Sequence, residues 1–170
     1  MRTRALLALI IGAGLWLGAG AHAQQPAPPP PAPPPEYGLP LTNAQARDAA
    51  AAALAEAKTN NWRMAIAVVG PDGELIYFEK MDGTQNASAA LAVRKARTSA
   101  LFRRPTKVFA DQFAAGNTGF MSFPDEARPI ASEGGIPIVL NGKLVGAIGA
   151  SGGTGAQDGV AAAAGANAVK

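Results

Sequence analysis

Residues 133–153 read EGGIPIVLNGKLVGAIGASGG, and the dipeptide at their centre decides the fold. Asn141-Gly142 separates two apolar runs, Ile136 to Leu140 and Lys143 to Ala150. A two-residue link of this composition predicts a type I′ turn, which needs φ > 0 at both positions and joins only antiparallel strands. Upstream, Gly70-Pro71-Asp72-Gly73 predicts a second turn, between the short apolar run Met64 to Val69 and the alternating stretch Glu74 to Glu79. Because Met64 to Val69 carries no polar residue, it reads as a strand covered on both faces. Helices fill the remaining lengths. Thr42 and Gln45 form a capping box for a helix to about Lys58, a second runs from about Ala87 to Phe102 and stops at Arg104-Pro105, and a short third covers Thr106 to Ala115. Gly116 to Asp125 reads as a loop, and a brief strand around Arg128 to Ser132 is confined to an edge by Pro129. An alanine-rich helix from about Ala156 to Val169 closes the chain. This order predicts an α+β fold, a single antiparallel sheet flanked by helices.

The domain accounts for only part of the 170 residues. Arg2 and Arg4 precede an uncharged apolar run from Ala5 to Ala21, and Ala21-His22-Ala23 supplies the small residues of a cleavage site. Residues 1–23 therefore read as a Sec signal peptide rather than an uncleaved anchor, which implies a periplasmic or secreted protein with no membrane span after cleavage. Residues 24–37 read as a proline-rich linker, since eight of the ten residues from Pro26 to Pro35 are proline. Such a run favours polyproline II, either as a stiff spacer or as a ligand for a proline-reading partner. Residues 38–170 form the domain.

Cleavage after Ala23 also changes the chemistry. It removes two of 15 basic residues and the single histidine, leaving 13 cations against 12 acids, a formal net of +1. Nucleic acid is not an expected partner at that charge. With no imidazole and no cysteine, a Ser-His-Asp triad, a zinc site built on His or Cys and a histidine-ligated haem iron are excluded from the mature chain.

What charge remains is unevenly spread. Arg94, Lys95, Arg97, Arg103, Arg104 and Lys107 lie in 14 residues without an acid. They form either a solvated helix end favoured by the macrodipole or a seat for carboxylates or phosphates. At 100° per residue, Ala89, Val93, Ala96 and Ala100 make one small apolar face of this helix, while Leu91, Lys95, Thr98 and Phe102 make a nearly opposite one. The lysine and threonine there either snorkel at a subunit contact or line a pocket. Lys95 and Ser99 also have the spacing of a Ser–Lys dyad, a weak signal in any helix. Gly146 to Gly155 ends a strand ahead of a helix, so it is either an anion cradle or a tight turn capped by Thr154. It lacks the dinucleotide pattern, because Asp158 replaces the last glycine. Glu133, beside Gly134-Gly135, is either a general base or a turn residue. Tyr77, Met64, Met81 and Met121 read either as iron ligands or as core or loop packing.

Four blocks together carry a resemblance: YFEKMDG at 77–83, RKARTSALFRRPT at 94–106, the stretch 133–153 and Gln157-Asp158. They resemble the GlcG/HbpS family, also called the haem-degrading domain family, over essentially all of residues 39–169. The resemblance implies a profilin- or PAS-like fold with a sheet of about five strands, and assembly into homo-oligomers. It implies haem as the ligand of some members, and no settled activity for others. Matched residue by residue, Lys95 and Thr98 fall in the family's helix motif, Gly134 and Gly135 in its Gly-Gly-x-Pro motif, and Ser151, Gly152, Gly153, Gln157 and Asp158 in its C-terminal motif. The first functional expectation is a non-catalytic exported binder of haem or a similar anionic ligand. Its propionates would meet the cations from Arg94 to Lys107, Arg103 and Arg104 among them, and its ring would lie against apolar side chains such as Phe102 or Phe109. The alternatives are an enzyme or sensor for a small organic acid, using Lys95 with Glu133 or Asp158, and a structural oligomeric module.

Overall fold

The computed structural model describes residues 32–170; the span read as a signal peptide, and the span read as linker up to residue 31, lie outside them. The described chain is one mixed sheet with helices on both faces. Strand β1 is Glu36–Tyr37, helix α1 Asn43–Thr59, β2 Ala65–Val69, β3 Leu75–Lys80, α2 Ala87–Phe102 and α3 Lys107–Ala114. A 3-10 turn, Gly119–Ser122, precedes β4 Gly135–Leu140, β5 Lys143–Ser151 and α4 Gly155–Ala168.

Both hairpins form as expected. Asn141 and Gly142 take φ of 52° and 77°, so β4 and β5 pair antiparallel with Leu140 opposite Lys143. The second turn closes through the Gly73 amide donating to the Gly70 carbonyl at 3.0 Å, and β2 pairs antiparallel with β3. β5 is the central strand. One edge is taken by β4, and the other is shared by β2, opposite Ala147 to Ser151, and β1, opposite Lys143 and Leu144.

Alternation along β2 explains the layers. Ala65, Ala67 and Val69 point to one face and pack on Ala92, Ala96 and Ala100 of α2. Met64, Ile66 and Val68 point to the other, where α1 and α4 cover them. Every residue of β2 is buried, as its unbroken apolar sequence requires. The buried stripe of α1, which includes Ala46, Ala49, Ala50, Ala53 and Ala57, lets it lie close to α4. Both helices start on a threonine cap, read from sequence as a full box at Thr42 and as a simple cap at Thr154. Thr42 caps α1 with Gln45, and Thr154 caps α4 with Gln157, each as a reciprocal capping box.

Three expectations need correction. Residues 128–132 are not a strand: Pro129 has no N–H, and the Ile130 amide donates to the Thr98 hydroxyl instead of to a ladder. The fifth strand is β1, inside the span read as linker, and it runs parallel to β5. Gly38 N donates to Leu144 O at 2.7 Å, continuing this edge, so the fold begins at Glu36 and not at Gly38. Finally, α2 packs through Ser88, Ala92, Ala96 and Ala100, while Ala89 and Val93 are only half-buried.

Candidate functional site

Two places on α2 gather the residues the sequence singled out, and only one is open. The closed one is built on Lys95. This side chain is 2% exposed, and its ammonium lies 2.7 Å from Asp158 Oδ2 and 3.3 Å from the Ala150 carbonyl. The other oxygen, Asp158 Oδ1, accepts from the Gly153 amide at 2.9 Å. Lysine and aspartate thus join α2, on one face of the sheet, to the first turn of α4 on the other. The link passes where β4 begins, and glycine makes room for it. A Cβ on Gly134, which has φ of 122°, would stand 3.0 Å from Lys95 Nζ and 2.7 Å from the Ala150 carbonyl. Gly135 is as tightly held, exchanging hydrogen bonds with the Thr106 backbone and hydroxyl at 3.0 and 2.9 Å.

Around this pair the other motif residues have structural partners. Ser151 Oγ lies 3.4 Å from Ser88 Oγ, tying the end of β5 to the first turns of α2. A Cβ on Gly152 would strike the Arg63 carbonyl. Gln157 is consumed in the α4 cap. Glu133 is half-buried, and its carboxylate lies beside Gly159 in the second turn of α4. Ser99 donates to the Arg104 carbonyl at 3.0 Å, so the hydroxyl and the Lys95 ammonium have separate partners, and no Ser–Lys dyad forms. Lys95 neither snorkels nor opens into a pocket.

The open place is a groove of about 510 Å³ along the outer side of α2. Ala90, Val93, Leu101 and Phe102 supply its apolar surface, and Arg94, Arg97 and Thr98 its polar groups. Residues 125–128 form the second wall. The volume lies in the roughly 300–1,000 Å³ range of small-molecule sites. Its arginines are not equivalent. Arg128 pairs with Asp125 at 2.8 Å and donates to the Phe123 carbonyl, and Arg94 donates weakly to the Arg128 carbonyl at 3.4 Å. Arg97 has no ion pair or side-chain hydrogen bond with the described residues.

Arg103 and Arg104 do not line this groove. Arg103 ends α2 in the left-handed conformation, with φ of 53°. Its guanidinium donates to the Pro35 carbonyl at 3.2 Å and lies 5.1 Å from the Tyr37 ring centroid, while the Tyr37 hydroxyl donates to the Leu101 carbonyl. It clamps β1 to the helix end. Arg104 donates to the Phe102 carbonyl and is exposed. Of the aromatic pair expected to meet a ring, Phe102 reaches the groove, while Phe109 is buried between Phe102 and Phe120 in edge-to-face stacks of 5.0 and 5.7 Å.

The iron-binding side chains are elsewhere. Tyr77 packs on the α1 face of the sheet, opposite α2, and donates to Glu79 at 2.9 Å. That hydrogen bond, then partial burial, raises its pKa above the usual tyrosine value, which disfavours the phenolate a ferric ion needs. Met64 is in the core, Met81 packs on it, and Met121 is exposed. Sequence reading missed the wall at 125–128. The signal for the groove was the third face of α2, where positions 90, 93, 94, 97, 98 and 101 share one side at helical spacing.

Residues 41–167 match the family model described as haem-degrading protein HbpS-like. The chain belongs to the HbpS-like family. It is 40% identical to protein GlcG of Escherichia coli K12 over 96 residues, 56% of this chain and 69% of the relative. Two solved structures share the HbpS-like fold. Streptomyces reticuli HbpS, as a double mutant, is 30% identical with a TM-score of 0.70, covering 85% of this chain and 99% of that one. Klebsiella pneumoniae protein ORFY is 25% identical with a TM-score of 0.72, covering 79% and 93%. The HbpS-like match spans both the Lys95–Asp158 pair and the α2 groove.

Proposed function

We propose that the protein is an exported, non-catalytic binder of haem or a similar flat, apolar anion, held in the α2 groove. The observation that carries this reading is the combination in one groove of the apolar patch Val93, Leu101 and Phe102 with Arg94 and Arg97, one helical turn apart. Neighbouring guanidinia suit a ligand whose carboxylates leave one edge of a flat ring, as propionates do. The family's description as haem-related supports the same class. The residues fit the ring and its carboxylates. For iron the groove has no imidazole or thiolate; its oxygen donors are the buried Thr98 hydroxyl, which already accepts from Ile130 N, and the carboxylates of Glu126 and of Asp125, the latter paired with Arg128. Haem held by such weak oxygen donors would be expected to show a high-spin or mixed spectrum.

Export is part of this proposal, supported by Arg2, Arg4 and Ala21-His22-Ala23. Self-association is another part, supported by exposed Leu101, Phe113, Met121 and Phe123.

A haem titration of the mature protein tests the reading. A saturable Soret change at micromolar protein is expected, and Arg94→Glu/Arg97→Glu should weaken it at least tenfold, each exposed pair contributing about 0.2–1 kcal/mol before reversal. Arg104→Glu, outside the groove, should leave it within twofold. No saturable change would sink the haem assignment.

A further inference from the structure

The second wall of the groove is attached far more lightly than the first. Between Thr118 and Ser132 the chain has one 3-10 turn and no strand, and only Phe120 and Pro129 are buried. Arg128 spends its side chain inside the segment, on Asp125 and the Phe123 carbonyl. The hydrogen bonds that leave the segment run to α2: Ile130 N to Thr98 Oγ1 at 3.1 Å, and Arg94 Nη2 to Arg128 O at 3.4 Å. Apart from these, the wall is anchored by its two buried side chains, Pro129 and Phe120, the latter stacked edge-to-face with Phe109. Upstream, the chain turns at Gly116, φ 83°, with open space around it. Downstream it is fixed at Gly134-Gly135, where the Ala150 and Thr106 backbones hold it.

We propose that residues 117–131 are a gate on the α2 groove, pinned by Thr98, with Arg94 as the group that couples gate and ligand. A segment with few buried apolar contacts and few outward hydrogen bonds opens at low cost compared with the core. Arg94 faces two oxygen acceptors of different strength: the neutral Arg128 carbonyl, at a distance that makes a weak bond, and the ligand carboxylate that the proposed function places in the groove. A charged acceptor outcompetes the carbonyl. Once the ligand takes Arg94, the Thr98 hydroxyl keeps the gate's one remaining hydrogen bond to α2, so ligand arrival and gate loosening are one exchange of partners at a single guanidinium. Thr98, read from sequence as a pocket residue, is here a positioning residue for the wall.

The inference rests on the groove being the ligand site, and amide hydrogen exchange on the ligand-free full chain separates the two ideas. Residues 118–131 should exchange at least a hundredfold faster than the buried face of α2. Thr98→Val should speed exchange at 128–131 by about five- to tenfold, the worth of one hydrogen bond, and Thr98→Ser should leave it unchanged. With iron-free protoporphyrin as probe, Thr98→Val should raise the association rate by a similar factor. If 118–131 exchanged in step with α2, or if Thr98→Val changed neither rate, the gate would be wrong. If exchange behaved as stated while protoporphyrin failed to bind, the gate would stand and the ligand assignment would fall.

Discussion

Lys95 and Asp158 are 63 residues apart in sequence and 2.7 Å apart in the fold, with almost no solvent between either and the outside. Two buried charges of opposite sign tolerate one another, but neither tolerates solitude. Lys95→Met should therefore cost about 3–5 kcal/mol, because it strands a carboxylate with only the Gly153 amide for company. Lys95→Met/Asp158→Leu should recover most of that loss in a urea titration, and failure to recover would show that the pair does more than neutralise itself. Tyr77 offers a pH test. Its folded pKa is raised, chiefly by donating to Glu79, so its contribution to stability is full below the unfolded value near 10 and is lost as pH rises through the folded one. Tyr77→Phe should flatten the stability profile in that alkaline window. At this scale the sequence was half legible. Lys95, Gly134 and Asp158 could be matched to motifs, yet nothing local says that a lysine will cross the end of a sheet to reach a carboxylate on the far side. Arg103 was misread for the same reason: its partners, Pro35 and Tyr37, lie well outside its own helix.

Elements were easier to read than sites, because their signals are short-range. The capping boxes at Thr42 and Thr154 and the Asn141-Gly142 turn each specify backbone within four residues, and each formed. Thr42→Ala and Thr154→Ala should each cost about 0.5–2 kcal/mol in the same titration, with Thr154 the costlier, since α4 also carries Asp158. Equal and negligible losses would mean that packing of the alanine faces holds these helices without their caps. The elements that escaped notice are those with no pattern to detect. Glu36–Tyr37 is two residues long, too short for alternation, and its pairing with Lys143 and Leu144 is decided by a gap that β2 leaves on the edge of β5. Residues 128–132 fail as a strand because Pro129 has no N–H to give a ladder and the Thr98 hydroxyl takes the Ile130 amide.

For the whole molecule, composition set limits that the architecture leaves intact: no histidine or cysteine among residues 32–170 means that any iron must look to oxygen or sulfur of other kinds. Among the described residues no helix is long and apolar enough to cross a membrane. The proposed export and assembly make one joint prediction. Protein recovered from outside the cytoplasm should have an intact mass beginning at Gln24, and should sediment as an oligomer at micromolar concentration. A species retaining His22 or a clean monomer would contradict the corresponding half. The place where the chain enters the domain adds something mechanical. Whatever pulls on the residues before Glu36 pulls first on β1, which is held by a two-residue ladder, the Arg103 guanidinium and the Tyr37 hydroxyl. Arg103 bears on Pro35, and Tyr37 bears on the carbonyl of Leu101, which itself lines the groove. A pull on the residues ahead of Glu36 would therefore be delivered to the C-terminal end of α2 and felt first at the edge of the groove.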